Sequence, residues 1–338
     1  QKLHKQVQRM LLLQSELKWL NMEAIRLAYE DMKRIEGFDA VKYLPILTEL
    51  EQQVKQGFGN IYSGDEAVLV NAEKAVANKR AILLANPLLN GDKILTVRYQ
   101  LGNRDRRAMA PELGTQSNNW SNQESARRKG FNADIVELSN LRDEVQIRTI
   151  YKPDNTSSIA DLKLHWDGDR AMFTQTMSDN RWNVFEVKLN NGDCKKLIDN
   201  PEPDLEFYDG TYLPDGRIIA NSNIGYQGVP CVNGSDPVGN MVLYTPQSKN
   251  LRRLTFDQDA NWNPVIMNNG RVMYTRWEYT DLTHYYTRIV MNMNPDGTEQ
   301  KALYGSGSMF PNSTFDVQPL PGYASAFVGI ISGHHGVA

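Results

Sequence analysis

The densest group of residues able to do chemistry is Ser332-Gly333-His334-His335-Gly336. Imidazoles ligate metals and carry protons near neutral pH. Two adjacent ones on a regular strand point to opposite faces, so only one reaches a shared site unless flanking glycines turn the backbone. Gly333 and Gly336 supply that freedom. Together with His284 and with Asp209, Asp257 or Asp259, these histidines offer the nitrogen and oxygen donors that a divalent metal ion takes. The same glycine-flanked histidines would equally satisfy buried backbone groups. Candidates for proton transfer are His284, His334, His335 and Tyr285. No acid partner completes a triad with Ser332, and no Gly-x-Ser-x-Gly elbow or phosphate-binding glycine loop occurs.

A second candidate is the segment from Arg98 to Gly130, where seven basic residues face three acidic ones. Long loops of this composition inside a compact domain are usually functional or disordered, and a plain solvated loop is the competing reading. Arg106 and Arg107 have the forked geometry for carboxylate or sulfate groups, and Trp120 offers a stacking platform for a sugar ring. Arg276, Trp277 and Trp262 would add to such a surface, although aromatic residues of this kind also fill gaps between sheets. Cys231 reads as a small buried hydrophobe. Cys194, beside Lys195 and Lys196, sits where positive charge lowers a thiol pKa, but on an outer turn. Two cysteines make no disulfide framework and no CxxC knuckle.

These residues need elements to position them. The 338 residues are 41% hydrophobic and 23% charged, a balance that excludes collagen-like, disordered and coiled-coil classes. A net charge of −3 leaves no bulk footprint for nucleic acid. No window approaches the uninterrupted apolar length of a membrane span, and residues 1–20 lack the pattern of a signal peptide, so any leader is expected to be absent from this chain. Apolar residues from Leu3 to Ile35 recur at helical steps and predict one long helix ending at Gly37. Two shorter helices are expected over Ala40 to Lys55 and Asp65 to Leu84, giving a helical module of residues 1–85 that packs on the succeeding domain.

After Asn86-Pro87 the apolar period changes from 3.6 to 2. Hairpin turns at Asp167-Gly168, Asp215-Gly216, Asn269-Gly270 and Pro321-Gly322 advance by 48, 54 and 52 residues, and each precedes an apolar strand. A period near 50 in an all-β stretch, with four strands per unit, predicts β-propeller blades over residues 86–338. About five units fit, the last breaking off after one hairpin, so further blades are expected from a longer chain or a partner subunit. The fold class is thus mainly β, an incomplete propeller preceded by an α-helical module.

Several segments carry a family resemblance: Tyr208-Asp209-Gly210-Thr211-Tyr212-Leu213-Pro214-Asp215-Gly216-Arg217, Gly228-Val229-Pro230-Cys231, Thr255-Phe256-Asp257-Gln258-Asp259, Tyr274-Thr275-Arg276-Trp277-Glu278-Tyr279-Thr280 and Ser332-Gly333-His334-His335-Gly336. In these the chain resembles the large bacterial proteins related to the hydrazine synthase alpha subunit, through the middle propeller domain. Asn294-Pro295-Asp296-Gly297-Thr298 is shared more widely with TolB-type repeats. The resemblance implies an extracytoplasmic protein, periplasmic, outer-membrane-anchored or secreted. It does not carry hydrazine synthesis, because no CxxCH is present for c-type haem; Tyr285 or Tyr286 would be the ligands for a haem held without covalent bonds. Three functions stay open: a propeller that binds an acidic or complex glycan at its axial face, a metal-assisted lyase or hydrolase of uronate polysaccharides, and an assembly subunit.

Overall fold

A computed structural model of the chain describes residues 2–89, 93–100, 128, 132–142, 144–154, 157–229, 234, 237–277, 288–307 and 313–331. It divides into two compact units, Gln1–Ile94 with Leu138–Ile147, and Leu95–Glu137 with Arg148–Ala338.

The first unit holds four helices, α1 (Lys2–Lys18), α2 (Met22–Met32), α3 (Ala40–Gln56) and α4 (Glu66–Leu83). The single long helix expected from Leu3 to Ile35 is two helices. Asn21 takes an extended backbone and its side chain accepts a hydrogen bond from the Ala24 N–H at 3.1 Å, so it starts a new helix where periodicity alone predicts continuity. Asp39 and Asp65 cap α3 and α4 in the same way. Ile25, Tyr29, Met32, Leu47, Leu50, Ala75 and Ile82 form the main core, and Leu13, Ile61, Leu69 and Ala72 a second one.

The strands are β1 (Lys93–Gln100), β2 (Asn132–Ser139), β3 (Gln146–Tyr151), β4 (Ile159–Leu164), β5 (Arg170–Thr176), β6 (Trp182–Lys188), β7 (Cys194–Lys196), β8 (Phe207–Tyr212), β9 (Ile218–Ser222), β10 (Asn240–Thr245), β11 (Asn250–Arg253), β12 (Asn261–Ile266), β13 (Val272–Trp277), β14 (Arg288–Met293), β15 (Lys301–Tyr304), β16 (Thr314–Pro319) and β17 (Phe327–Ile331). They pair with their sequence neighbours into a three-stranded sheet, three four-stranded sheets (β4–β7, β8–β11, β12–β15) and the β16–β17 hairpin. Strand pairing from β4 to β17 is antiparallel. The tight Gly168, Gly216 and Gly270 turns, all at positive φ, match strand twist.

Successive sheets bury their faces against each other. Met172 and Val184 meet Phe207, Ile218, Val242 and Tyr244, while Ile219, Met241 and Leu243 meet Val272, Tyr274 and Met291. β9 (Ile-Ile-Ala-Asn-Ser) is buried along its whole length, its polar Asn221 and Ser222 included. The first strand of each of the last four sheets carries the same irregularity. Register slips between Ala160 and Lys163, Tyr208 and Thr211, Trp262 and Val265, and Phe315 and Gln318. The residue opening each bulge lies at positive φ: Asp161, Asp209, Asn263 and Asp316. Asp and Asn tolerate this left-handed conformation better than other non-glycine residues, and a bulge re-aims the side chain it carries.

Gly210, in the β8 bulge, presses between two sheets: a Cβ there would stand 2.6 Å from Met172 Sδ and 3.0 Å from Val184 Cγ1, both wholly buried. Gly210→Ala is therefore expected to lower stability by about 1–3 kcal/mol, read as an earlier midpoint in thermal or urea denaturation; an unchanged midpoint would contradict this packing.

Candidate axial site

The four bulges face one cavity of about 470 Å³. Its lining includes Asp161, Asp209, Asn263 and Asp316, then Lys163, Thr211 and Gln318, with Trp166, Tyr212, Leu162, Leu164, Val265 and Pro319 as apolar wall. Asp209 holds the floor together and is only 5% exposed. Its Oδ1 accepts from Lys163 Nζ at 3.0 Å, and the same ammonium donates to the Pro264 carbonyl at 3.0 Å. Its Oδ2 accepts from the Asn263 N–H at 2.5 Å and from Asn221 Nδ2 at 3.2 Å. Its own N–H reaches Thr174 Oγ1 at 2.9 Å and Asp161 Oδ2 at 3.2 Å. One residue thus links β4, β5, β9 and β12.

Asp161 and Asp316 have no ion-pair partner among the described residues. Burial, and then the neighbouring Asp209 carboxylate, push the Asp161 carboxyl up to about 7, although the Thr174 hydroxyl donates to Oδ2 at 2.8 Å and Lys163 pulls the other way. The same two causes raise Asp316. Tyr212 is held neutral, its phenol raised by burial and by Glu186, to which it donates at 3.1 Å. Trp166, 58% exposed, stands at the mouth with His165 and Tyr212 edge-on to one another at 4.7 Å.

Of the residues expected from sequence, Asp209 lines this cavity. Arg276 is engaged with Asp257 at 3.0 Å and is not among the cavity-lining residues. Trp277 is fully buried, stacked on Trp262 at 5.9 Å, so neither offers a face to a ligand. Arg288 fills the space they leave, its guanidinium 4.5 Å from the Trp262 ring, 5.4 Å from Trp277 and 4.8 Å from Phe315; burial pushes it down to about 9. The stacking surface expected at Trp262 and Trp277 is core. Cys194 is also corrected: burial raises its thiol to about 11 despite the two lysines. His284, His334, His335, Tyr285, Tyr286, Arg106, Arg107, Trp120 and Cys231 lie outside the described residues.

His165, Asp167 and Asp169 bring one metal-ligating atom each within 4.8 Å of one another. Arg170 already occupies that space, touching Asp169 at 2.7 Å, His165 Nε2 at 2.6 Å and Asp167 at 3.2 Å. In the cavity, Lys163 and two N–H donors take up both oxygens of Asp209, while Asp161 and Asp316 stay without an ion-pair partner among the described residues.

Sequence reasoning does not single out Asp161, Asn263 and Asp316, yet a signal exists. Asp161, Asp209 and Asn263 each stand seven residues before the turn glycines Gly168, Gly216 and Gly270, and Asp316 stands six before Gly322.

No protein-family model and no curated protein matches the chain. Solved structures do match. Hydrazine synthase of Kuenenia stuttgartiensis is 10% identical over 66% of this chain and 33% of that one, with a TM-score of 0.48. A putative TolB from Agrobacterium tumefaciens is 14% identical over 60% of this chain and 65% of that one, at 0.41. An oligogalacturonate lyase in complex with manganese is 14% identical over 52% of this chain and 48% of that one, at 0.36. The chain spans a third of the first and just under two thirds of the second. At these identities and scores, neither activity nor ligand passes from them to this chain. Among the described residues no helix is long and apolar enough to cross a membrane.

Asp209→Ala would leave the Lys163 ammonium and the Asn263 N–H without their acceptor, and is expected to destabilise by about 3 kcal/mol, read as a lower denaturation midpoint. Asp161 has the opposite sign. The folded state holds its proton more tightly than the unfolded chain, so stability is unaffected below the ordinary carboxylate range, falls as pH rises toward 7, and carries the full penalty above. Asp161→Asn, which keeps the neutral shape and tolerates positive φ, should match the parent at pH 4 and exceed it by about 1–3 kcal/mol at pH 8 in denaturant titrations; equal midpoints at pH 8 would refute this.

Proposed function

We propose that residues 86–338 are consecutive blades of a β-propeller, preceded by a helical module of residues 1–85, and that the protein binds a glycan in its axial cavity. The observation that carries this reading is the convergence of four first strands, each bringing its bulge residue to one cavity. That is the geometry in which blade inner strands surround a common axis. Further blades are read as completing the ring, since β17 has only β16 beside it among the described residues. The extracytoplasmic setting is what the family resemblance implies.

A glycan suits the lining. Carboxyls, a side-chain amide and a threonine hydroxyl pair with sugar hydroxyls, and Trp166 with Tyr212 offers an apolar face to a ring. The preference for acidic glycans expected from Arg106 and Arg107 rests on residues outside the described ones. With three carboxyls against Lys163, the cavity itself favours neutral or cationic groups.

Titrating the protein with a panel of neutral, amino and uronic oligosaccharides, with binding read by calorimetry, tests this. At least one class is expected to bind, and Trp166→Ala to weaken it roughly three- to tenfold. Absence of heat with every class, or indifference of binding to Trp166→Ala, would overturn the axial reading.

A further inference from the structure

The charge pattern inside the cavity narrows the ligand further. This step rests on the reading of the axial cavity as a glycan site. Lys163 places an ammonium between Asp209 Oδ1 and the Pro264 carbonyl, each at 3.0 Å, and this shows that the floor stabilises a compact cation that donates several hydrogen bonds. The Lys163 ion-pair contact is with Asp209, and its charge reaches Asp161 and Asp316 only at longer range. Asp161 on β4 and Asp316 on β16 remain without a cation within ion-pair distance among the described residues, and both line the same space. The other strands facing them add no positive charge: Asn263 on β12 and Thr211 on β8 are neutral, and Gln318 beside Asp316 is an amide. Asp316 is the more exposed of the two.

We propose that the axial cavity takes an amine-bearing glycan, a sugar whose ring lies against Trp166 and Tyr212 while its protonated amino group is received by Asp161 and Asp316. An ammonium on a hydroxyl-rich ring meets each feature of the lining at once. Its charge answers the unmatched carboxyls, its N–H groups donate to their oxygens, its hydroxyls reach Asn263, Thr211 and Gln318, and its apolar ring face covers the aromatic wall. Arrival of a cation also offsets the repulsion that the Asp209 carboxylate exerts on Asp161 and Asp316. A uronic sugar would bring like charge against these groups. A neutral sugar would leave them unmatched.

The comparison that decides this uses the full chain and three oligosaccharides of equal length: glucosamine, N-acetylglucosamine and galacturonate oligomers. N-acetylation removes the charge and leaves the ring, so binding to the glucosamine oligomer is expected to be at least about tenfold tighter than to its acetylated form, and to weaken as salt rises. Galacturonate is expected to bind weakest. Asp316→Asn should narrow the difference between the amino and acetylated oligomers, chiefly by weakening the amino one. Equal affinity for the two, or preference for galacturonate, would overturn the amine while leaving the glycan reading standing. Absence of binding to all three would overturn both.

Discussion

The buried carboxylate of Asp209 is the constraint on which the arrangement of the first strands depends. A residue only 5% exposed, in a left-handed backbone conformation, accepts from a lysine on one first strand, an N–H on another and an amide on the strand beside it. Stacked antiparallel sheets are held by apolar faces that are tolerant of sliding, because dispersion and hydrophobic burial are not directional. Hydrogen bonds to a desolvated carboxylate are directional and costly to lose. Asp209 therefore sets how the first strands stand relative to one another, and with that the size and shape of the cavity between them.

The arrangement concentrates negative charge and then leaves part of it unanswered. Lys163 neutralises Asp209, but Asp161 is raised toward neutrality by burial and by that same neighbour, and Asp316 shifts the same way. Asp209 serves the fold as a carboxylate, since an amide could not ion-pair with Lys163, whereas at positions 161 and 316 an amide would take positive φ as readily, as Asn263 does. Two carboxyls where amides would serve the fold are the groups on which the proposed ligand reading rests. Elsewhere the unit resolves buried charge differently: Arg288 lies among three aromatic rings and, among the described residues, pairs with no carboxylate, so ring quadrupoles take the place of a counter-ion.

The same economy of space explains why the large aromatics divide as they do. Trp262 and Trp277 belong to β12 and β13, both covered by neighbouring structure, and are wholly or nearly wholly buried. Trp166 belongs to the turn after β4 and stays open at the cavity mouth. Residue type is identical in the three cases, and only the place in the stack separates a core filler from an exposed ring at the cavity.

Much of the β architecture is legible in the sequence because it is written in local chemistry. Asp-Gly and Asn-Gly turns at Asp167, Asp215 and Asn269 fix hairpins through backbone conformation alone, and their spacing near 50 residues marks units of four strands. The helices after Gly37 are visible through periodicity and caps. The break at Asn21 is not, since apolar spacing continues unbroken across that cap and makes two helices look like one. The site is legible only in Asp209. Whether an acid in a strand faces a core, a neighbour or an axis depends on a one-residue bulge, and a bulge reverses the side-chain alternation from which strand faces are inferred. Composition and spacing therefore determined that this chain makes helices and then repeated antiparallel sheets; tertiary structure alone decided that Asp161, Asp209, Asn263 and Asp316, about fifty residues apart, share one cavity, because only packed sheets bring their separate bulges to the same place.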